Sequence, residues 1–184
     1  MEKIEYVCHN GYPKEAFDFV CDVYMNNINC EKFKLNDSHD QWHKWSYLND
    51  EPYISRIITI MAKDSSTREI IGVLLTGSTT SDEKMLAILS EEQEQFLFKK
   101  LPSSKCIVSI SKAAVDPKHQ RQGITKKMTQ SAIFNWNELN RPVGIIITCV
   151  NKSNIPSLKL HKDFEILSQD EHNIRFYCVL DEKK

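Results

Sequence analysis

The stretch Val115-Asp116-Pro117-Lys118-His119-Gln120-Arg121-Gln122-Gly123-Ile124-Thr125-Lys126-Lys127-Met128 decides how this chain is read. Just before it lies the β-rich run Cys106-Ile107-Val108-Ser109-Ile110. After it, helical spacing extends from about Ile124 to Leu139, and Val143-Gly144-Ile145-Ile146-Ile147-Thr148-Cys149-Val150 follows as a second β-rich run. Strand, helix and strand at this length predict a βαβ crossover with parallel strands and a right-handed connection. The turn into the helix, residues 117–127, holds Lys118, Arg121, Lys126 and Lys127 and no acid. A helix start offers unpaired N–H groups and partial positive charge, and glycine lets a ligand approach the backbone, so the segment reads as a phosphate site. The plainer alternative is a basic loop whose glycine only serves the turn.

Outward from that segment the pattern alternates between strand and helix. Ile4-Glu5-Tyr6-Val7-Cys8 alternates like a half-buried strand, Asn10-Gly11-Tyr12-Pro13 suits a helix start, and apolar residues then recur at Ala16, Phe17, Val20, Cys21, Val23 and Tyr24. A less regular helical stretch surrounds Trp42, Trp45, Tyr47 and Leu48. Runs 56–62 and 69–75 flank Asp64-Ser65-Ser66-Thr67 and predict a hairpin. Residues 82–100 carry acids between apolar positions and read as a surface helix. A short helix near Pro156–Lys162 and a strand Ile174–Leu180 close the chain. No repeat, linker or low-complexity stretch interrupts it, so a single domain over residues 1–184 is expected.

Composition narrows the class. The 184 residues balance 24 Lys and Arg against 25 Asp and Glu, for a formal net charge of -1. A dedicated nucleic-acid or anionic-membrane binder would favour a basic excess, so neither partner is expected. A chain of this length buries about 70% of its extended surface on folding, enough for a core without disulfide or metal staples. Its six cysteines, Cys8, Cys21, Cys30, Cys106, Cys149 and Cys178, form no C-x-x-C pair and mostly sit in apolar runs, as core residues of a reducing compartment would. The charged start Met1-Glu2-Lys3-Ile4-Glu5 is unlike a signal peptide, and no apolar run approaches the ~20 residues of a membrane span. A cytoplasmic location is the resulting expectation. His39 and His43 stand at i,i+4 without a Glu or Cys partner at ligand spacing, so no metal is expected.

Gln120-Arg121-Gln122-Gly123-Ile124-Thr125 resembles the acetyl-CoA loop of the GNAT acyltransferase superfamily, Gln/Arg-x-x-Gly-x-Gly/Ala, with Thr125 in place of the final small residue. Val150 to His161 is similar to the family's later Asn-x-x-Ala-x-x-Leu-Tyr segment, with His161 where the family carries Tyr, and the family's Gly-Phe is replaced by Glu165-Ile166. If two residues are deleted there, Phe164 takes the Phe position instead. The resemblance implies an α+β fold: a mixed, mostly antiparallel sheet with a central parallel βαβ pair, flanked by helices. It implies acetyl-CoA as co-substrate, the backbone of Ala113, Ala114 and Val115 along the pantetheine arm and the acyl oxygen, and the N–H groups of Gln122 to Thr125 on the diphosphate. Gln120 and Arg121 open the same loop, and Asn154 would bond the pantetheine. The order of elements near Cys30-Glu31-Lys32-Phe33 also resembles animal arylalkylamine N-acetyltransferases, with Glu31 at the Glu of their Asp-Glu-Pro-Leu motif.

Acetyl transfer from a thioester to an amine needs a deprotonated amine, a stabilised oxyanion and a proton for the leaving thiolate. An alkylamine titrates near pH 10, so near neutrality a base must take its proton. Glu31 and His161 are the candidate bases, with His43 and His119 behind them, and His161 is also the candidate donor to a thiol of pKa about 8.5, ahead of Tyr177. The plain alternatives are a surface helix histidine and a solvated loop carboxylate. Phe33, Trp42, Trp45 and Tyr47 suggest an aromatic acceptor pocket, although such clusters near a core are more often packing. The expectation is an acetyl-CoA-dependent N-acetyltransferase acting on a small primary amine, as a monomer or homodimer. A protein or peptide N-acetyltransferase and a non-catalytic CoA-binding protein are the rivals.

Overall fold

The computed structural model describes residues 3–25, 46–83, 89–102 and 104–180. In chain order the elements are β1 (Ile4–Asn10), α1 (Lys14–Met25), β2 (Ile57–Asp64), β3 (Ile70–Thr79), α2 (Glu91–Lys99), β4 (Cys106–Val115), α3 (Ile124–Glu138), β5 (Val143–Asn151), α4 (Ile155–Leu160), β6 (Glu165–Gln169) and β7 (Asn173–Val179). The strands form a seven-stranded sheet in the order β1-β2-β3-β4-β5-β7-β6. β4 and β5 are parallel, whereas β1–β2, β5–β7 and β6–β7 are antiparallel, as the sequence predicts for a mixed sheet around a βαβ pair. Contacts divide the chain into two compact units, residues 1–76 with 112–135 and residues 77–111 with 136–184.

In the first unit, β1 runs against β2 from Ile4↔Asp64 to Asn10↔Ile58. Gly11 turns the chain at φ 75°, where Asn49 accepts from the Tyr12 N–H at 2.8 Å and donates to the Tyr12 carbonyl at 3.1 Å. Pro13 then starts α1, since its carbonyl takes the N–H groups of Ala16 and Phe17. Of the six positions the helical spacing picks out, Ala16, Phe17, Val20, Cys21 and Val23 are buried and Tyr24 is half-buried. Asp64 closes the β2–β3 turn by accepting from the Ser66 N–H, the Ser66 hydroxyl and the Thr67 N–H. On α3, Ile124, Met128 and Ala132 are buried. Gly72 on β3 admits that helix, because a Cβ there would stand 3.1 Å from Ile124 Cγ2 and 3.3 Å from Met128 Cε.

In the second unit, β4 pairs with β5 from Cys106↔Val143 to Ile110↔Thr148, and β7 covers the far edge of β5 from Ile145↔Val179 to Asn151↔Asn173. Leu97 of α2, Ile107, Ile145, Ile147 and Tyr177 form one buried cluster.

Three expectations change. The acidic surface helix spans only Glu91–Lys99, because Ser90 and Gln93 form a reciprocal capping box that fixes its start; residues 84–88 lie outside the described set. Glu165–Gln169, read from sequence as part of a motif departure, is the edge strand β6, held by pairing with β7. Of the cysteines, Cys21 and Cys106 are buried, Cys8 and Cys178 are half-buried, and Cys149, near the end of β5, is exposed. Cys30 lies outside the described residues.

Candidate active site

The loop from β4 into α3 is built by short local bonds. The Asp116 N–H bonds to the Ile71 carbonyl at 3.0 Å, and the Asp116 carboxylate caps the 3-10 turn Pro117–His119 by accepting from the Lys118 N–H at 2.8 Å. The Gln120 side chain reaches back to the Val115 carbonyl at 3.2 Å. Arg121 and Gly123 then adopt positive φ, 65° and 76°, and Lys127 makes the first helical bond, to the Gly123 carbonyl at 3.1 Å.

One consequence of this path carries the site. Among the described residues, none of the backbone N–H groups from Arg121 to Lys126 has a hydrogen-bond partner. Consecutive free N–H groups with left-handed residues interspersed make a concave anion cradle, and the dipole of the 15-residue α3 adds to it. Lys118, Arg121, Lys126 and Lys127 are exposed around it, and nothing lies within 4 Å of the place a Gly123 Cβ would take. The Ile124 side chain is buried, so that residue offers only its backbone. Thr125 is half-buried and its carbonyl accepts from the Thr129 hydroxyl at 3.0 Å.

Upstream on β4, Ala113 is exposed, Ala114 buried and Val115 half-buried. The Ala113 carbonyl accepts from the Tyr24 hydroxyl at 3.2 Å, a contact across 89 residues that no sequence spacing signals.

In the other unit, Asn154 and His161 cap the two ends of α4. The Asn154 side-chain oxygen accepts from the Ser157 N–H at 3.2 Å, so of its carboxamide only the amide nitrogen stays out of the cap. His161 is 7% exposed, which sets aside the plain alternative of a surface helix histidine. Its ring meets Phe164 edge-on at 5.0 Å and stacks on Phe176 at 5.9 Å, and its Nδ1 lies 2.8 Å from the Ser157 carbonyl. A carbonyl only accepts, so Nδ1 carries the proton. Burial pushes the His161 pKa down, against a smaller opposite pull from the Ser157 carbonyl. Near neutral pH the ring is uncharged with its lone pair on Nε2, a form that accepts a proton; the expected proton donor would have to be the imidazolium. Burial raises the Cys106 thiol to about 11.

Glu31, Phe33, His39, Trp42, His43 and Trp45 lie outside the described residues, as does the side chain of Tyr47.

These strands, the β4–α3 loop and the helices have the fold of GNAT acetyltransferases. The chain is similar to Arabidopsis thaliana NAA60 in complex with a bisubstrate analogue, at 14% identity and TM-score 0.66 over 96% of this chain and 98% of that one. It is also similar to a GNAT-family acetyltransferase from Staphylococcus aureus Mu50, at 14% identity and TM-score 0.62 over 97% and 100% of the two chains. A chain of the NatC complex bound to Gag peptide and CoA matches at 18% identity and TM-score 0.60, over 98% and 100%. No protein-family model matches this sequence, and no curated protein matches it significantly.

Proposed function

We propose that this chain is an acetyl-CoA-dependent N-acetyltransferase that moves the acetyl group directly to a small primary amine. The observation that carries the reading is the run of unpartnered N–H groups from Arg121 to Lys126 beside Gly123, in a loop that resembles the acetyl-CoA loop and in a GNAT-like fold. In this reading those groups hold the diphosphate of the donor, Lys118, Arg121, Lys126 and Lys127 add attraction, and β4 at Ala113, Ala114 and Val115 lines the pantetheine arm. Asn154 bonds the arm through its amide nitrogen.

The amine nitrogen forms its bond to the thioester carbonyl carbon, the C–S bond breaks, and the amine proton passes to a base. Neutral His161 has the lone pair for that transfer, and Glu31 is the other candidate. The thiolate then takes up a proton from solvent or from the protonated base.

Phe33, Trp42 and Trp45 favour a small arylalkylamine as acceptor. A peptide amine is the second reading, favoured by the likeness to the NatC chain, whose complex holds a Gag peptide with CoA. Purified protein mixed with acetyl-CoA and panels of amines and peptides, read by thiol release, tests both. Release with amines alone supports the first reading, release with peptides alone replaces it by the second, and no release with any acceptor refutes the enzyme.

A further inference from the structure

Tyr24 is the long-range contact at the proposed donor site. It stands in the last turn of α1, and its hydroxyl donates to the Ala113 carbonyl at 3.2 Å. β4 pairs with β5 only as far as Ile110, yet continues to Val115. Ala113 therefore lies beyond the last β4–β5 pair, where its carbonyl takes a bond from a side chain. β3 lies on the other side of β4, so it is the edge toward β5 that is left unpaired beyond Ile110; such an edge takes up another backbone-like ligand, and pantetheine, with two amide groups in an extended chain, is such a ligand. A carbonyl fixed by a phenol keeps its peptide plane oriented in advance, so a ligand that needs that plane does not have to order it on binding.

We propose that Tyr24 is a positioning residue for the acyl donor, holding the Ala113 peptide in the orientation that receives the pantetheine arm. The inference rests on the acetyl-CoA reading above and adds to it a residue far from the loop motif. Tyr24→Phe removes the hydroxyl and keeps the ring.

Binding of acetyl-CoA and of acetyl-pantetheine, which lacks the nucleotide and diphosphate, is measured by calorimetry for wild type and variant, with melting temperature and turnover alongside. Loss of one neutral hydrogen bond predicts a roughly two- to tenfold rise in Kd. That rise should be the same for both donors, appear in the KM for acetyl-CoA and not in the KM for the amine, and leave the melting temperature within about a degree. An unchanged Kd, a lower melting temperature with donor binding intact, or a loss confined to acetyl-CoA each overturns the assignment. If wild type binds neither donor, the acetyl-CoA reading falls and Tyr24 with it; if wild type binds and Tyr24→Phe binds equally well, only the role of Tyr24 is refuted.

Discussion

Replacing Gly123 by glutamate puts a carboxylate at the mouth of the anion cradle. The position is open, with no atom within 4 Å of a built Cβ, so the substitution carries no clash. It carries two other costs. At φ 76° an L residue is strained by roughly 1–2 kcal/mol, and the new charge opposes the donor's diphosphate. At about 4 Å and an effective dielectric near 20, each like-charge contact is worth about 4 kcal/mol, or roughly a thousandfold in Kd. Wild type at a donor concentration 100-fold above Kd gains about 2.7 kcal/mol. For a chain of this length that is a rise of roughly 5–11 °C in melting temperature. Gly123→Glu at the same concentration should show no rise. Gly123→Ala separates the two costs: it carries the strain without the charge, so its unliganded melting temperature should fall by roughly 2–8 °C while most of the donor-induced rise survives. Differential scanning fluorimetry with and without CoA reads all three proteins. A Gly123→Glu protein that rises as far as wild type would show that the cradle is not the donor site.

Three further outcomes are expected. Gly72→Ala sets a methyl 3.1 Å from Ile124 Cγ2, so overpacking should cost about 1 kcal/mol and weaken the CoA-induced thermal rise, because Ile124 anchors the loop; calorimetry checks both. The bonds from Ser66 and Thr67 hold the Asp64 carboxyl below its ordinary pKa, so its contribution is present above about pH 4 and is lost as pH falls through the lower folded value. Asp64→Asn should lower the urea midpoint at pH 7 and flatten its decline between pH 5 and pH 2. His161→Phe keeps an aromatic ring over Phe176 but has no lone pair, so steady-state kinetics should show kcat down by roughly 10- to 1000-fold with CoA affinity kept.

Legibility in the sequence tracked how local the cause was. The buried face of α1 and the β2–β3 hairpin follow from periodicity and turn residues, and the parallel β4–β5 pair follows from strand, helix and strand spacing. β6 did not announce itself because it has five residues and a mostly exposed pattern, and the order comes from its partner β7. The true start of α2 was written in Ser90-Glu91-Glu92-Gln93, a capping signature that the broader acidic run obscured. At the site, Gly123 in its motif pointed to the cradle. The positive φ at Arg121 had no such marker, because arginine seldom occupies that region. The Tyr24 contact with Ala113 depends on tertiary packing and had no local signal.

The state of His161 constrains the chemistry more than its position in a motif does. A histidine expected to serve as a proton donor would be an imidazolium, yet here the ring lies against Phe164 and Phe176 with Nδ1–H directed at the Ser157 carbonyl. Desolvation penalises the charged form, so the folded pKa lies below the usual value. The linkage has a definite sign: stability is full above the unfolded value of about 6.5 and declines as pH drops through the folded value, because the unfolded chain takes the proton first. The same depression sets the working range of a base, since activity that depends on neutral His161 should persist into mildly acid pH before falling. A donor role would give the opposite limb, with activity lost as pH rises past the folded pKa. The pH profile of kcat for wild type therefore separates the two roles of one residue, and an alkaline loss that vanishes in His161→Phe would restore the donor.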